Sequence, residues 1–128
     1  MQVEIPHRLL TTRAPSDAPA PWARHATRWM VASTWVVIAD GKRFEIPVGF
    51  VFDGSSVPRL LWWLWPPGYA PAWEAACFHD WCYAFGYRRV SKRFADDAFR
   101  SIMLRQGARP WIARIFHAAV SRFGRGGW

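Results

Sequence analysis

An α+β fold is predicted by two patterns and a length. An Asp40-Gly41 pair stands between the β-rich runs Trp35-Val36-Val37-Ile38 and Arg43-Phe44-Glu45-Ile46, and from about residue 70 three segments carry helix start and stop signals. At 128 residues the chain has the size of one domain around one core. The expectation is a small N-terminal antiparallel sheet, made of a hairpin over 34–46 and short strands, followed by three helices within a single domain spanning 1–128.

Residues 1–27 read as a short strand and then a proline-alanine loop, because Ala14-Pro15-Ser16-Asp17-Ala18-Pro19-Ala20-Pro21 follows neither the helical nor the strand period. The β region is 28–58. Asp-Gly suits a two-residue hairpin turn, whose two central residues both need positive φ. Pro47 has no N–H for a ladder, so its strand ends there or lies at an edge. Gly49-Phe50-Val51-Phe52 reads as one more strand, and Asp53-Gly54-Ser55-Ser56-Val57-Pro58 as a loop of turn formers.

The helical region is 59–123. It opens with Leu60-Leu61-Trp62-Trp63-Leu64-Trp65, which reads first as core under the helices; three tryptophans in four positions cannot share one helix face, so one or two should be exposed, and the functional alternative for these is an interfacial platform. Pro71 to Phe85 reads as a first helix that Gly86 stops. Ser91 suits the N-cap of a second helix, Lys92 to Arg105, with Phe94, Ala98 and Ile102 on one face and Gln106-Gly107 as its stop. Pro110 opens a third helix that buries Ile112, Ile115, Phe116, Ala119, Val120 and Phe123 and turns Arg114 and Arg122 outward. The glycine-rich tail 124–128 is expected to be mobile.

Composition limits the partners. Lys plus Arg number 17 against 9 Asp plus Glu, a net charge of +8, which attracts phosphate on nucleic acid or anionic lipid. No block of five or six like charges and no recognition motif accompanies it, so nucleic acid ranks last. Ten Trp, nine Phe and three Tyr exceed what so small a core buries, which points to a lipid surface, a partner or a neighbouring subunit. The longest apolar run is far short of the ~20 residues of a membrane span. The N-terminus lacks a basic start and an apolar stretch, so synthesis in a cytoplasm is expected. Cys77 and Cys82, five apart on a helix, point to different sides, and neither a disulfide nor a zinc site is expected of them.

The chemistry concentrates on the first two helices. His79 and Tyr83, four apart, share a face, and Asp80 projects ~100° round from His79. Of the acids on the second helix, Asp96 shares a face with the apolar Phe99 and Met103 and should turn inward, whereas Asp97 has Arg93 and Arg100 at neighbour spacings and suits a solvated face. A buried carboxylate bonded to one imidazole nitrogen fixes the tautomer and leaves the other nitrogen as a general base for water. This predicts a His79–Asp96 dyad with the Tyr83 hydroxyl on the same carboxylate. Asp80 is then available to ligate a cation such as calcium, helped by oxygens of the loops 53–56 or 66–69, Asp53 among them.

Cys77-Phe78-His79-Asp80-Trp81-Cys82-Tyr83 resembles the active-site helix of the phospholipase A2 superfamily, in which His-Asp-x-x-Tyr precedes a second helix bearing the dyad aspartate. The resemblance covers residues 66–105. It implies that His79 is the base, Asp80 the calcium ligand, Tyr83 the supporting phenol and Asp96 the dyad acid, on a phospholipase-like helical pair. The secreted enzymes' many disulfides and Tyr-x-Gly-x-Gly calcium loop have no counterpart here, where Asp53-Gly54 or Pro67-Gly68 stands instead. Certain viral capsid phospholipases also lack disulfides.

Over residues 28–123 the chain more closely resembles a phage-associated family, domain of unknown function 1353. The likeness lies in Ile46-Pro47-Val48-Gly49-Phe50-Val51-Phe52-Asp53-Gly54-Ser55-Ser56-Val57-Pro58, in Leu61-Trp62-Trp63-Leu64-Trp65-Pro66-Pro67, in His79-Asp80 with Tyr83, and in Ala95-Asp96 with Phe99. It implies a phage or prophage origin, synthesis in a bacterial host's cytoplasm and residence in a virion. Two functions follow as expectations. One is an esterase in which His79-activated water attacks acyl esters at a phospholipid surface. The other is a non-enzymatic component of a virion tail or neck, packed against other virion proteins, in which the dyad braces the fold.

Overall fold

The computed structural model describes residues 1–15, 28–52 and 70–123. Among them, six short strands precede three helices: β1 Val3–Glu4, β2 Thr11–Arg13, β3 Trp29–Val31, β4 Trp35–Ala39, β5 Lys42–Ile46, β6 Val51–Phe52, α1 Ala70–Ala84, α2 Lys92–Arg105 and α3 Pro110–Phe123. A 3₁₀ turn, Gly86–Arg88, joins α1 to α2. The fold is α+β.

The hairpin forms where the sequence places it. Asp40 and Gly41 have φ of 50° and 78°, the double positive that a type I′ turn requires, and Ala39 pairs with Lys42 across it. Pro47 ends β5. Its carbonyl accepts the Phe50 N–H at 3.2 Å in a turn whose third residue, Gly49, has φ 91°, a conformation that disfavours any side chain.

The strands make two antiparallel sheets where the sequence suggested one. Their orders are β1-β4-β5 and β2-β3-β6. β4 is paired on one side by β1 and on the other by β5, and β3 by β2 and β6, and among the described residues no ladder joins an outer strand of one sheet to the other.

Helix boundaries follow local chemistry. The Ser91 hydroxyl oxygen accepts the Phe94 N–H at 3.1 Å and caps α2. At its other end the Gly107 N–H bonds Leu104 O and the Ala108 N–H bonds Met103 O, a Schellman pair made possible by a φ of 95° at Gly107. Gly86 acts differently from the expected stop. It does not have positive φ, and its need is for space, since a Cβ there would lie 2.9 Å from the Trp81 ring.

The core sits between the sheets and the helices. β5 alternates, with Phe44 and Ile46 buried and Arg43 and Glu45 exposed, while β4 is buried almost throughout. Phe44 meets Phe78, Trp81 and Phe94 with ring centroids 5.4, 6.1 and 5.9 Å away, and Trp73 receives Trp29 and Phe52 of the second sheet, each at 5.3 Å. α1 is buried from Glu74 to Phe78 and again at His79, Trp81 and Cys82, as expected of a helix apolar nearly all round. Both cysteines are buried free thiols. No helix among the described residues is long and apolar enough to cross a membrane. The tryptophan run, the loop 53–58 and the tail 124–128 lie outside the described residues.

Candidate functional site

A central helix that carries a histidine inward must supply it with a partner, because an unpaired buried polar group costs about 1–3 kcal/mol. On α1 that histidine is His79, and α2 supplies the partner. His79 Nε2 lies 2.7 Å from Asp96 Oδ1, and the Tyr83 hydroxyl donates to the same oxygen at 2.6 Å. The His79 ring rests on Tyr83, centroids 4.1 Å apart, and takes the edge of Phe99 at 5.1 Å. His79, Tyr83 and Asp96, read from the sequence as one group, are thus in mutual contact.

The sequence reading missed the fourth member. Lys92 Nζ donates to Asp96 Oδ2 at 2.7 Å and to the carbonyls of Val120 and Ser121 at 3.2 and 3.0 Å. Three acceptors satisfy the three N–H bonds of an ammonium. They tie the end of α3 to the carboxylate that α1 also holds. The signal was available: Lys92 stands four residues before Asp96, the spacing at which a lysine and an aspartate meet on a helix.

The electrostatics follow from this arrangement. Burial works to raise the Asp96 pKa, but hydrogen bonds from His79, Lys92 and Tyr83 outweigh it and hold the group below its ordinary value, as a carboxylate. A carboxylate only accepts, so His79 carries its proton on Nε2 and keeps the lone pair on Nδ1. Burial lowers the His79 pKa further than the Asp96 bond and charge raise it, and Lys92 adds to the lowering. The imidazole is neutral at pH 7. Burial and the bond to Asp96 push the Tyr83 phenol up, so it stays a donor. Cys77 and Cys82 are also pushed up by burial, which keeps them as thiols with little nucleophilic character.

Asp80 is partly buried one residue beyond His79, and its charge raises both the Cys77 thiol and the Tyr83 phenol. Asp53 lies outside the described residues. Among the described residues no three His, Cys, Asp or Glu side chains gather into a metal cage.

Asp97 keeps the partly solvated setting its spacing suggests and gains a partner from another helix. It is partly exposed, with Arg93 at 4.0 Å, and its Oδ1 lies 2.8 Å from His117 Nε2 of α3. The two neighbouring aspartates of α2 each hold a histidine, one on α1 and one on α3.

Fold and site together define an α+β protein whose helices converge on a His-Asp-Tyr-Lys centre in which His79 and Asp96 are buried and Tyr83 and Lys92 half-buried. A family model described as "Protein of unknown function (DUF1353)" matches residues 29–120, and the chain belongs to that family. The match begins at the first residue of β3 and includes all four members of the centre, leaving β1 and β2 outside it. Neither the curated proteins nor the solved structures include a match to the chain.

Proposed function

We propose that this protein is a phospholipase A2-like hydrolase of phage or prophage origin, in which His79 activates water to cleave acyl esters of phospholipid. The observation that carries the reading is the sharing of Asp96 Oδ1 by His79 Nε2 and the Tyr83 hydroxyl. In the reaction, His79 Nδ1 takes a proton from water as the resulting hydroxide bonds to the ester carbonyl carbon. Collapse of the tetrahedral intermediate breaks the bond to the alcohol oxygen, and the imidazolium returns its proton to that leaving group. Asp96 stabilises the imidazolium between the two steps without itself taking the proton. Lys92 and Tyr83 hold Asp96 ionised and in place.

The resemblance of the His79–Tyr83 helix also supports calcium as a cofactor held by Asp80 and Asp53, and that of residues 46–67 supports residence in a virion after synthesis in a bacterial cytoplasm. The test is acyl release from phospholipid vesicles, measured with calcium and with a chelator. Wild-type protein should release fatty acid, and His79→Gln, which can still donate an amide N–H to Asp96, should lose at least a hundredfold of the rate while remaining folded, since general-base catalysis contributes roughly 10²–10⁴-fold. Wild-type protein inert under every calcium and lipid condition would overturn the reading.

A second reading has its own observation. Lys92 links Asp96 to two carbonyls of α3 while Asp96 binds α1, so the centre fastens three helices at one point. On that reading the protein is a structural part of a virion tail or neck, and the dyad braces it. Fixed stoichiometry in purified particles, with no acyl release, is the outcome that selects it.

A further inference from the structure

From the connection between α2 and α3 we infer a docking surface for an anionic lipid bilayer. The connection leaves large apolar side chains part-exposed at both of its ends: Leu104 is 39% exposed and Trp111 52% exposed. Arg105, Arg109 and Arg114, placed beside and between them in the chain, are exposed as well. The charge in this part of the chain is one-sided, since no Asp or Glu follows Asp97 while six arginines do, from Arg100 to Arg125.

The surface continues onto the N-terminal segment. Arg105 donates to Val3 O at 3.2 Å, and an open pocket of about 390 Å³ lies between the segment 5–8, Arg105 and Gln106, with Arg8 on its wall. The acid in this pocket, Glu74, is 9% exposed, accepts a bond from Gln106 at 3.1 Å and feels the charges of Arg8 and Arg105. Glu4, at the edge of the adjoining pocket, is exposed. Two arginines against one already bonded carboxylate leave the pocket net positive.

A bilayer matches these features together. Tryptophan settles at the headgroup level, leucine enters the acyl boundary, and arginines extend their stems along apolar surface while their guanidinium groups meet phosphate. Nucleic acid would satisfy the arginines but gives Leu104 nothing to enter. A second copy of the chain would bring its own uncompensated arginines against these. The surface lies at the end of α2 away from Asp96: Arg105 stands nine positions after Asp96, about 14 Å along the helix at the standard rise. Docking would therefore hold the protein on the membrane without using any residue of the dyad.

The proposal deepens the hydrolase reading and rests on it for its purpose, but its test uses ether-linked lipids, which no esterase cleaves. Binding can then fail while hydrolysis of ester lipids survives, and the reverse. The full chain is sedimented with vesicles of ether-linked phosphatidylglycerol or ether-linked phosphatidylcholine, at low and high salt. It should bind the anionic vesicles preferentially and be released by salt. Trp111→Ser with Leu104→Ser should weaken binding roughly tenfold or more, from the lost apolar burial. Arg105→Gln and Arg109→Gln should each weaken it roughly fivefold, as expected for a cation near an anionic membrane, and they test the same surface should the apolar pair disturb folding. Arg43→Gln, on the exposed face of β5, should leave binding unchanged. Equal binding to both lipids, binding undiminished by the α2–α3 substitutions, or preference for a DNA duplex in competition would each overturn the proposal.

Discussion

Asp96 and Asp97 are neighbours on one helix, each paired with one histidine, and they differ in nearly everything that follows. The His79 and Asp96 side chains are 8% and 3% exposed, and the carboxylate gathers three donors from α1 and α2. The His117 and Asp97 side chains are 26% and 41% exposed, and water competes for the same bonds. A His–Asp contact acquires its character from burial. At similar distances of 2.7 and 2.8 Å, the first pair must remain complete or leave a buried charge, whereas the second can be exchanged for solvent.

The largest effect should come from emptying the buried pair. Asp96→Ala strips His79, Tyr83 and Lys92 of their common acceptor and should lower stability by about 3–5 kcal/mol, measured as the urea unfolding free energy; a loss close to that of Asp97→Ala would erase the contrast. Tyr83→Phe removes one donor and leaves two, for a cost of about 1.5–3 kcal/mol, typical of a bond to a charged group. A neutral result would mean that the phenol contributes no net stability to the carboxylate.

Acidification sharpens the contrast without mutation. The folded-state pKa of His79 lies below its ordinary 6.5, so in that window the unfolded chain binds a proton that the folded one refuses. Stability is therefore complete above about pH 6.5 and falls as the pH drops toward the folded value. Asp96, held below its ordinary 3.8, adds a second loss at lower pH as its carboxylate protonates. His79→Gln should flatten the upper part of the curve in a pH series of urea midpoints, and stability that rose on acidification through 6.5 would contradict the assignment. The smallest effect belongs to the exposed pair. His117→Ala should cost at most about 1 kcal/mol, less in high salt, and a loss as large as that of Asp96→Ala would show that α3 depends on it.

The site was legible in the sequence to the extent that helix geometry alone determines it. The spacing of His79 and Tyr83 put them on one face, and the apolar Phe99 and Met103 beyond Asp96 turned that acid inward. Lys92 was also at a readable spacing, but a lysine in the first turn of a helix usually faces water. Its role required the carbonyls of Val120 and Ser121, which belong to another helix. His117 escaped notice because its partner lies twenty residues away, on a different helix. Gly86 was read as a conformational stop when its constraint is the Trp81 ring.

The sequence by itself determined the α+β order, the Asp40-Gly41 turn, the Ser91 cap, the Gly107 stop and the facing of His79, Tyr83 and Asp96. These depend on φ, on hydrogen bonds within a few residues, and on the periods of helix and strand. The tertiary structure alone decided the division into two sheets, the Lys92 tie to α3 and the unequal fates of Asp96 and Asp97. Each of these depends on which element occupies a strand edge or closes over a side chain, and that is set by packing between segments far apart in the chain.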